Sequence, residues 1–233
     1  MESGDRPAPD PPGDALVREP QQDRSRRTLE RLVSAGTALL RTDGPEALTI
    51  TGVTRRAHTS VGSFYARFQG KEDFLRYLGE GALEEATSVW RAARASFPRA
   101  GAARGKVELV VRSLAELYLE GPANSLALLD GVDDPTPTRR RRFEAFLATE
   151  FQEVLEVEPS RASLAARVAT GILLDAAVTG FGPPPEEGRE DARAPVLGRD
   201  TLLFELVELL VGYVDPGAGR AISKGPDPFD VWG

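Results

Sequence analysis

A chain of 233 residues with no cysteine and a single histidine can bury a substantial core. It has no means of building a disulfide framework, a thiolate metal centre, a histidine cluster for metal or a Ser-His relay. The net charge of −7 argues against nucleic acid, yet between Arg24 and Arg76 ten basic residues stand against five acidic ones, a net +5 that leaves −12 on the remainder. Phosphate affinity follows local charge, so this distribution reads as a basic module on an acidic body.

Residues 1–22 are rich in Pro, Asp, Gly and Gln, carry only Arg6 and Arg18 as cations, and read as a disordered arm. They lack the apolar core of a signal peptide, and no apolar run reads as long enough to span a bilayer. The expectation is a cytoplasmic protein with no membrane partner. A first helix is predicted over Ser25–Thr42, where Leu29, Leu32, Val33, Gly36, Leu39 and Leu40 form one stripe, closed by Gly44 and Pro45.

The next stretch, TITGVTRRAHTSVGSFYARFQGK from Thr49 to Lys71, is the most informative. Ile50, Val53 and Ala57 fall at i, i+3 and i+7, with Thr49 as N-cap. The chain must then bend sharply at His58, a residue that tolerates positive φ better than most. Thr59 or Ser60 can cap a second helix, pinned by Val61, Phe64, Tyr65 and Phe68, while Ser60, Gly62 and Ser63 leave its other face small enough to approach a base edge or phosphate. Two short helices joined in this way outline a helix-turn-helix that reads double-stranded DNA.

Helical periodicity continues from Lys71 to about Ser96, through Val107–Tyr118, Ala123–Asp130, Arg139–Val157, Ser160–Thr179 and Asp200–Val214, with Asp200 as a cap. No segment alternates like a strand, so the fold class is all-α with about nine helices. The run Arg139–Arg142 reads as a solvated face with local ion pairs, and the last 19 residues as a tail. In the final two helices Leu164, Val168, Gly171, Ile172, Leu203, Leu206, Leu210 and Tyr213 mark wide apolar faces. Two such helices from each of two subunits would form a four-helix dimer interface.

The string RRAHTSVGSFYARFQGKEDFL, preceded by LERLVSAGTALLRTDGPEALTI, resembles the N-terminal DNA-binding domain of the TetR family over about Arg26–Leu78. His58 departs from the family, which usually has Gly there. Between the arm at 1–22 and the tail at 215–233, the resemblance implies a DNA-binding domain at 23–70 with its helix-turn-helix at about 48–67 and a ligand-binding and dimerisation domain at 71–214. It implies DNA contacts from Thr49, Thr51, Thr59, Ser60, Val61, Gly62, Ser63, Tyr65 and Lys71, and dimerisation through the last two main helices.

Phe64 and Phe68 fit the core better than the DNA, whereas Arg55 and Arg56 fit a backbone contact and a solvated face equally. Trp90, Leu114, Tyr118, Phe146, Glu150 and Asp175 are candidate lining of an effector pocket, although aromatic residues at helical spacing also pack simply against one another. The expected function is a homodimeric repressor of a pseudo-palindromic operator, released by a small molecule, with no metal, cofactor or catalytic site. A ligandless DNA-binding dimer or activator is the alternative, and an α-helical enzyme a remote one.

Overall fold

The computed structural model describes residues 21–129, 138–181 and 198–215, and nearly all of the expected tail and of the N-terminal arm lies outside them. Nine α-helices follow one another: α1 (Gln21–Asp43), α2 (Ile50–Arg56), α3 (Val61–Tyr65), α4 (Lys71–Ala95), α5 (Ala103–Ala115), α6 (Pro122–Leu129), α7 (Thr138–Leu155), α8 (Pro159–Thr179) and α9 (Arg199–Val214). No strand occurs among the described residues. The all-α expectation therefore holds, with local corrections.

Helix α1 begins at Gln21, so the expected arm overlaps it by two residues. It ends where Gly44 takes φ +77° and returns its N–H to the Leu40 carbonyl at 3.1 Å. Helix α5 runs on into a π-helical turn, Glu116–Glu120. Helix α9 is entered through Gly198, and Asp200 lies in the first turn without acting as the cap; there its charge still meets the helix dipole favourably. The membrane expectation also needs amending, because α8 is long and apolar enough to cross a bilayer by length and composition. Its alanine-rich face, Ala162, Ala165, Ala166 and Ala169, is instead buried in the protein core.

Two apolar cores divide the chain. The smaller gathers Leu32, Leu40, Leu48, Val53, Phe64, Phe68, Phe74 and Leu78 from α1 to α4, with Leu129 reaching in from α6. The larger is built from α4 to α9 around Trp90, Val107, Leu114, Phe143, Leu147, Phe151 and Leu173. Helix α4 serves both, with Phe74 to Leu78 in one core and Ala82 to Trp90 in the other.

Polar contacts reinforce that junction. Arg142 donates from one nitrogen to both Glu80 carboxylate oxygens at 3.1 and 2.9 Å, and the Arg139 side chain lies over Gly79, filling the space a Cβ would take. The basic run at the start of α7 is thus a clamp on α4 as well as a face with a local pair, Arg140–Glu144 at 3.5 Å. Arg41 of α1 donates to the Glu120 carbonyl at 3.2 Å, and Arg199 of α9 pairs with the Glu120 carboxylate.

Candidate nucleic-acid interface

Helix α2 starts where Thr49, in an extended conformation, accepts the Gly52 N–H on its side chain at 3.0 Å. Helix α3 starts in the same way, its Ser60 hydroxyl accepting the Ser63 N–H at 3.1 Å and meeting the Ser63 hydroxyl at 2.9 Å. Each cap satisfies a backbone donor that a helix start leaves open. Between them His58 sits at φ +49°, with its N–H on the Arg55 carbonyl, and the next N–H, of Thr59, reaches the Thr54 carbonyl. The left-handed residue that the turn requires is therefore a histidine.

Helix α3 is only five residues long and is held from behind by aromatic packing. Phe64 is fully buried, with ring centroids 5.3 Å from Phe68 and 5.4 Å from Phe74, and Phe68 lies 4.9 Å from Phe74. The expectation that Val61 and Tyr65 also pin this helix is not met: they are 44% and 55% exposed. A core-facing stripe in so short a helix has room for Phe64 alone, with Phe68 following beyond its end.

The outward surface consequently carries Ser60, Val61, Gly62 and Tyr65, joined by exposed Thr49 and Thr51 and by half-buried Thr59, Ser63 and Lys71. A Cβ on Gly62 would meet only the Ser60 hydroxyl, at 3.8 Å. Nothing among the described residues requires glycine there, and the surface at Gly62 is open to close approach. The hydroxyls and Tyr65 can bond phosphate oxygens, Lys71 supplies charge, and Val61 offers an apolar contact of the kind a thymine methyl accepts.

Two features escaped the residue pattern. Arg67 joins the end of α3 to α1 through hydrogen bonds to the Ser63 carbonyl and to Ser25. Arg24, Arg27, Arg31 and Arg56 converge with His58 on one open groove of about 1430 Å³ between α1 and the end of α2, where Glu30 is the one acidic lining residue. The charge count located these arginines in the module; only the fold puts them on one side of it.

Residues 32–78 match the family model of bacterial regulatory proteins, tetR family. The helix-turn-helix segment is thus a DNA-binding domain of the TetR type. Its fold is shared with a transcriptional regulator from Rhodococcus sp. Rha1 (20% identity, TM-score 0.55, covering 81% of this chain and 96% of that one). It is shared also with the fatty acid degradation regulator FadR from Bacillus halodurans (10%, TM-score 0.54, 83% and 97%). FadR from Bacillus subtilis, solved in complex with stearoyl-CoA, is similar at 16% identity with a TM-score of 0.52, covering 79% and 98%. No curated protein matches the chain.

Beyond this TetR-type domain, the body residues singled out from sequence separate by burial. Trp90, Leu114 and Tyr118 are fully packed, Phe146 and Glu150 are half-buried, and Trp90 donates its indole N–H to Glu150 at 3.1 Å. Asp175 is exposed. Of the apolar positions on the last two helices, Leu164 and Gly171 are exposed and Val168, Ile172, Leu203 and Tyr213 are partly so. Leu206 and Leu210 are buried in the chain's own core, at 2% and 1%. On α9 the open apolar side chains are Phe204 and Leu209 instead, each 51% exposed.

Proposed function

We propose that this TetR-family regulator is a homodimeric, cytoplasmic repressor whose hold on a pseudo-palindromic operator is released by a small molecule bound in its C-terminal domain. The observation that carries the DNA reading is the outward face of α3, whose small and hydroxyl-bearing residues stand in solvent while Phe64 and Phe68 anchor it from behind. In the reading, Thr49, Thr51 and Thr59 to Ser63 meet the major groove and its edges, and Tyr65 and Lys71 grip phosphates.

Dimerisation through α8 and α9 is supported by Leu164, Val178, Phe204 and Leu209, apolar side chains left open on these two helices. A second copy would bury them and would set the spacing of the two recognition helices to that of the half-sites. Effector response is supported by the sharing of α4 between both cores and by the ligand in the Bacillus subtilis relative. An acyl thioester is accordingly the first class to try. Its effect is limited by its differential affinity for the DNA-competent and incompetent states. The tight packing of Trp90, Leu114 and Tyr118 favours a second reading, a ligandless dimer.

Selection of duplexes from a random pool by the purified chain yields the operator. On it, Tyr65→Ala is expected to lose binding with fold and oligomeric state unchanged, and Lys71→Gln to lower the salt slope of log affinity by about one. Unchanged binding in both variants sinks the assignment. Leu209→Glu with Phe204→Glu is expected to give monomers in sedimentation. Retention of the operator in the presence of acyl-CoA thioesters and related acids would favour the ligandless reading.

A further inference from the structure

At the end of α4 remote from the DNA-binding domain, a cleft of about 450 Å³ is lined by Arg91, Arg94, Phe97, Arg99, Glu150 and Glu153. From this cleft we infer a binding site for one anionic head group, a carboxylate or a phosphate, on the C-terminal body. Cavities of this size suit a small molecule or the charged end of a larger one.

The arginines are set for a ligand that the described residues do not supply. Arg91 lies over the Phe146 ring at 5.3 Å and Arg94 over the Phe97 ring at 5.8 Å, so both guanidinium groups are held in place by aromatic faces. Neither of these arginines, nor Arg99, is hydrogen-bonded or ion-paired within the described residues, although two carboxylates share the cleft. Glu150 is occupied by the Trp90 indole. The Nε of Arg94 is buried and has no acceptor.

A buried donor left without a partner is costly, and a charged one more so. An incoming carboxylate or phosphate oxygen would draw on three guanidinium groups suited to such oxygens, and a small shift of the Arg94 side chain toward it would open the Nε as well. The dipole of α4 accounts for one arginine in its last turn. It does not account for three converging on a single cleft with one donor buried and unpaired. Glu150 and Glu153 reduce the lining to a net +1, which selects a lightly charged head group over a polyanion such as DNA.

The site lies about 36 Å along α4 from Lys71, at 1.5 Å rise per residue, so its occupancy is measurable on the full chain without DNA and does not depend on the effector reading. Calorimetric titration of the full chain with inorganic phosphate and, separately, with butyrate is the test. Binding of phosphate in preference to butyrate assigns a phosphorylated ligand, and the reverse order an organic acid. Arg94→Lys, which keeps the charge but lacks the buried Nε, and exposed Arg99→Gln are each expected to weaken binding about tenfold, the loss of one charge-assisted hydrogen bond. Arg112→Gln, an exposed arginine outside the cleft, is expected to bind as the parent does. No binding of either anion, or equal affinity in the parent and both cleft variants, overturns the site.

Discussion

Arg67 donates to the Ser63 carbonyl at 2.7 Å and, through its other terminal nitrogen, to both the carbonyl and the hydroxyl of Ser25 at 3.0 Å. One half-buried side chain thus fixes the angle between the recognition helix and α1. Arg67→Ala is expected to cost about 1–2 kcal/mol of stability, as charge-assisted bonds are lost at a partly solvated site. DNA affinity should fall further than that, because groove recognition depends on helix placement. Arg67→Lys recovers little, since an ammonium cannot reproduce the fork. Denaturant melts paired with fluorescence anisotropy on duplex DNA separate the two effects. Parental DNA affinity in a destabilised Arg67→Ala would assign the residue to the fold alone.

His58 occupies a left-handed conformation at φ +49°, which costs a residue with a Cβ about 1–2 kcal/mol. Glycine would remove that strain but would add about 0.4–1 kcal/mol of unfolded-state entropy. His58→Gly should therefore be neutral to about 1 kcal/mol more stable, and His58→Val, β-branched, clearly less stable. Urea midpoints order the three proteins. A destabilised glycine variant would mean that the imidazole makes a contact worth more than the strain.

The parts of the interface that were legible in the sequence are those decided within a few residues. Thr49 and Ser60 cap the helices they precede, and His58 takes the turn, because these choices depend on neighbours at i+2 or i+3. Val61 and Tyr65 were ambiguous, since apolar side chains at helical spacing look alike whether they face a core or a ligand. Helix α9 carries apolar residues on several sides, so periodicity does not set its phase: Leu206 and Leu210 turn into the chain's own core, while Phe204 and Leu209 stand open. Arg67 and the cleft at the end of α4 join residues 42 to 60 positions apart, which no local pattern encodes.

At Gly36, α1 lies directly against Phe74 and Leu78 of α4. A Cβ there would lie 2.6 Å from Phe74 Cζ and 2.8 Å from Cε1, and the Phe74 ring is itself enclosed by Phe64 and Phe68. The ring has no free direction in which to yield, so Gly36→Ala is expected to destabilise by about 1–3 kcal/mol as overpacking, despite the better helix propensity of alanine. In a chain of this size the loss corresponds to roughly 2–4 °C of melting temperature per kcal/mol. The double variant Gly36→Ala/Phe74→Leu, which frees the space, should cost less than the two single changes added together. Additive losses would show that the two positions do not compete for the same volume.

The pair Lys106–Glu156 gives stability a pH dependence of known sign. The ammonium lies 2.6 Å from the Glu156 carboxylate, with the lysine side chain 10% exposed and the glutamate 71%. Hydrogen bonding to Lys106, and then its charge, hold the Glu156 carboxyl below its ordinary value of 4.5. A carboxyl that binds its proton less readily when folded stabilises the fold above the unfolded value, and that contribution is lost as pH falls through the lower folded one. Glu156→Gln removes it and leaves a largely buried ammonium without its counter-charge, so its melting temperature should lie below the parent's at neutral pH. The gap should stay constant from about pH 8 to about pH 5 and narrow on further acidification, as the parent's own carboxylate is neutralised. Glu156 also sits at φ +56°, so Glu156→Gly, which loses the pair but sheds the backbone strain, should melt above Glu156→Gln and show the same narrowing against the parent. Melting curves across the pH range check all three, and a parent-to-Gln gap that persists unchanged in acid would show that the carboxylate's charge is not what Lys106 depends on.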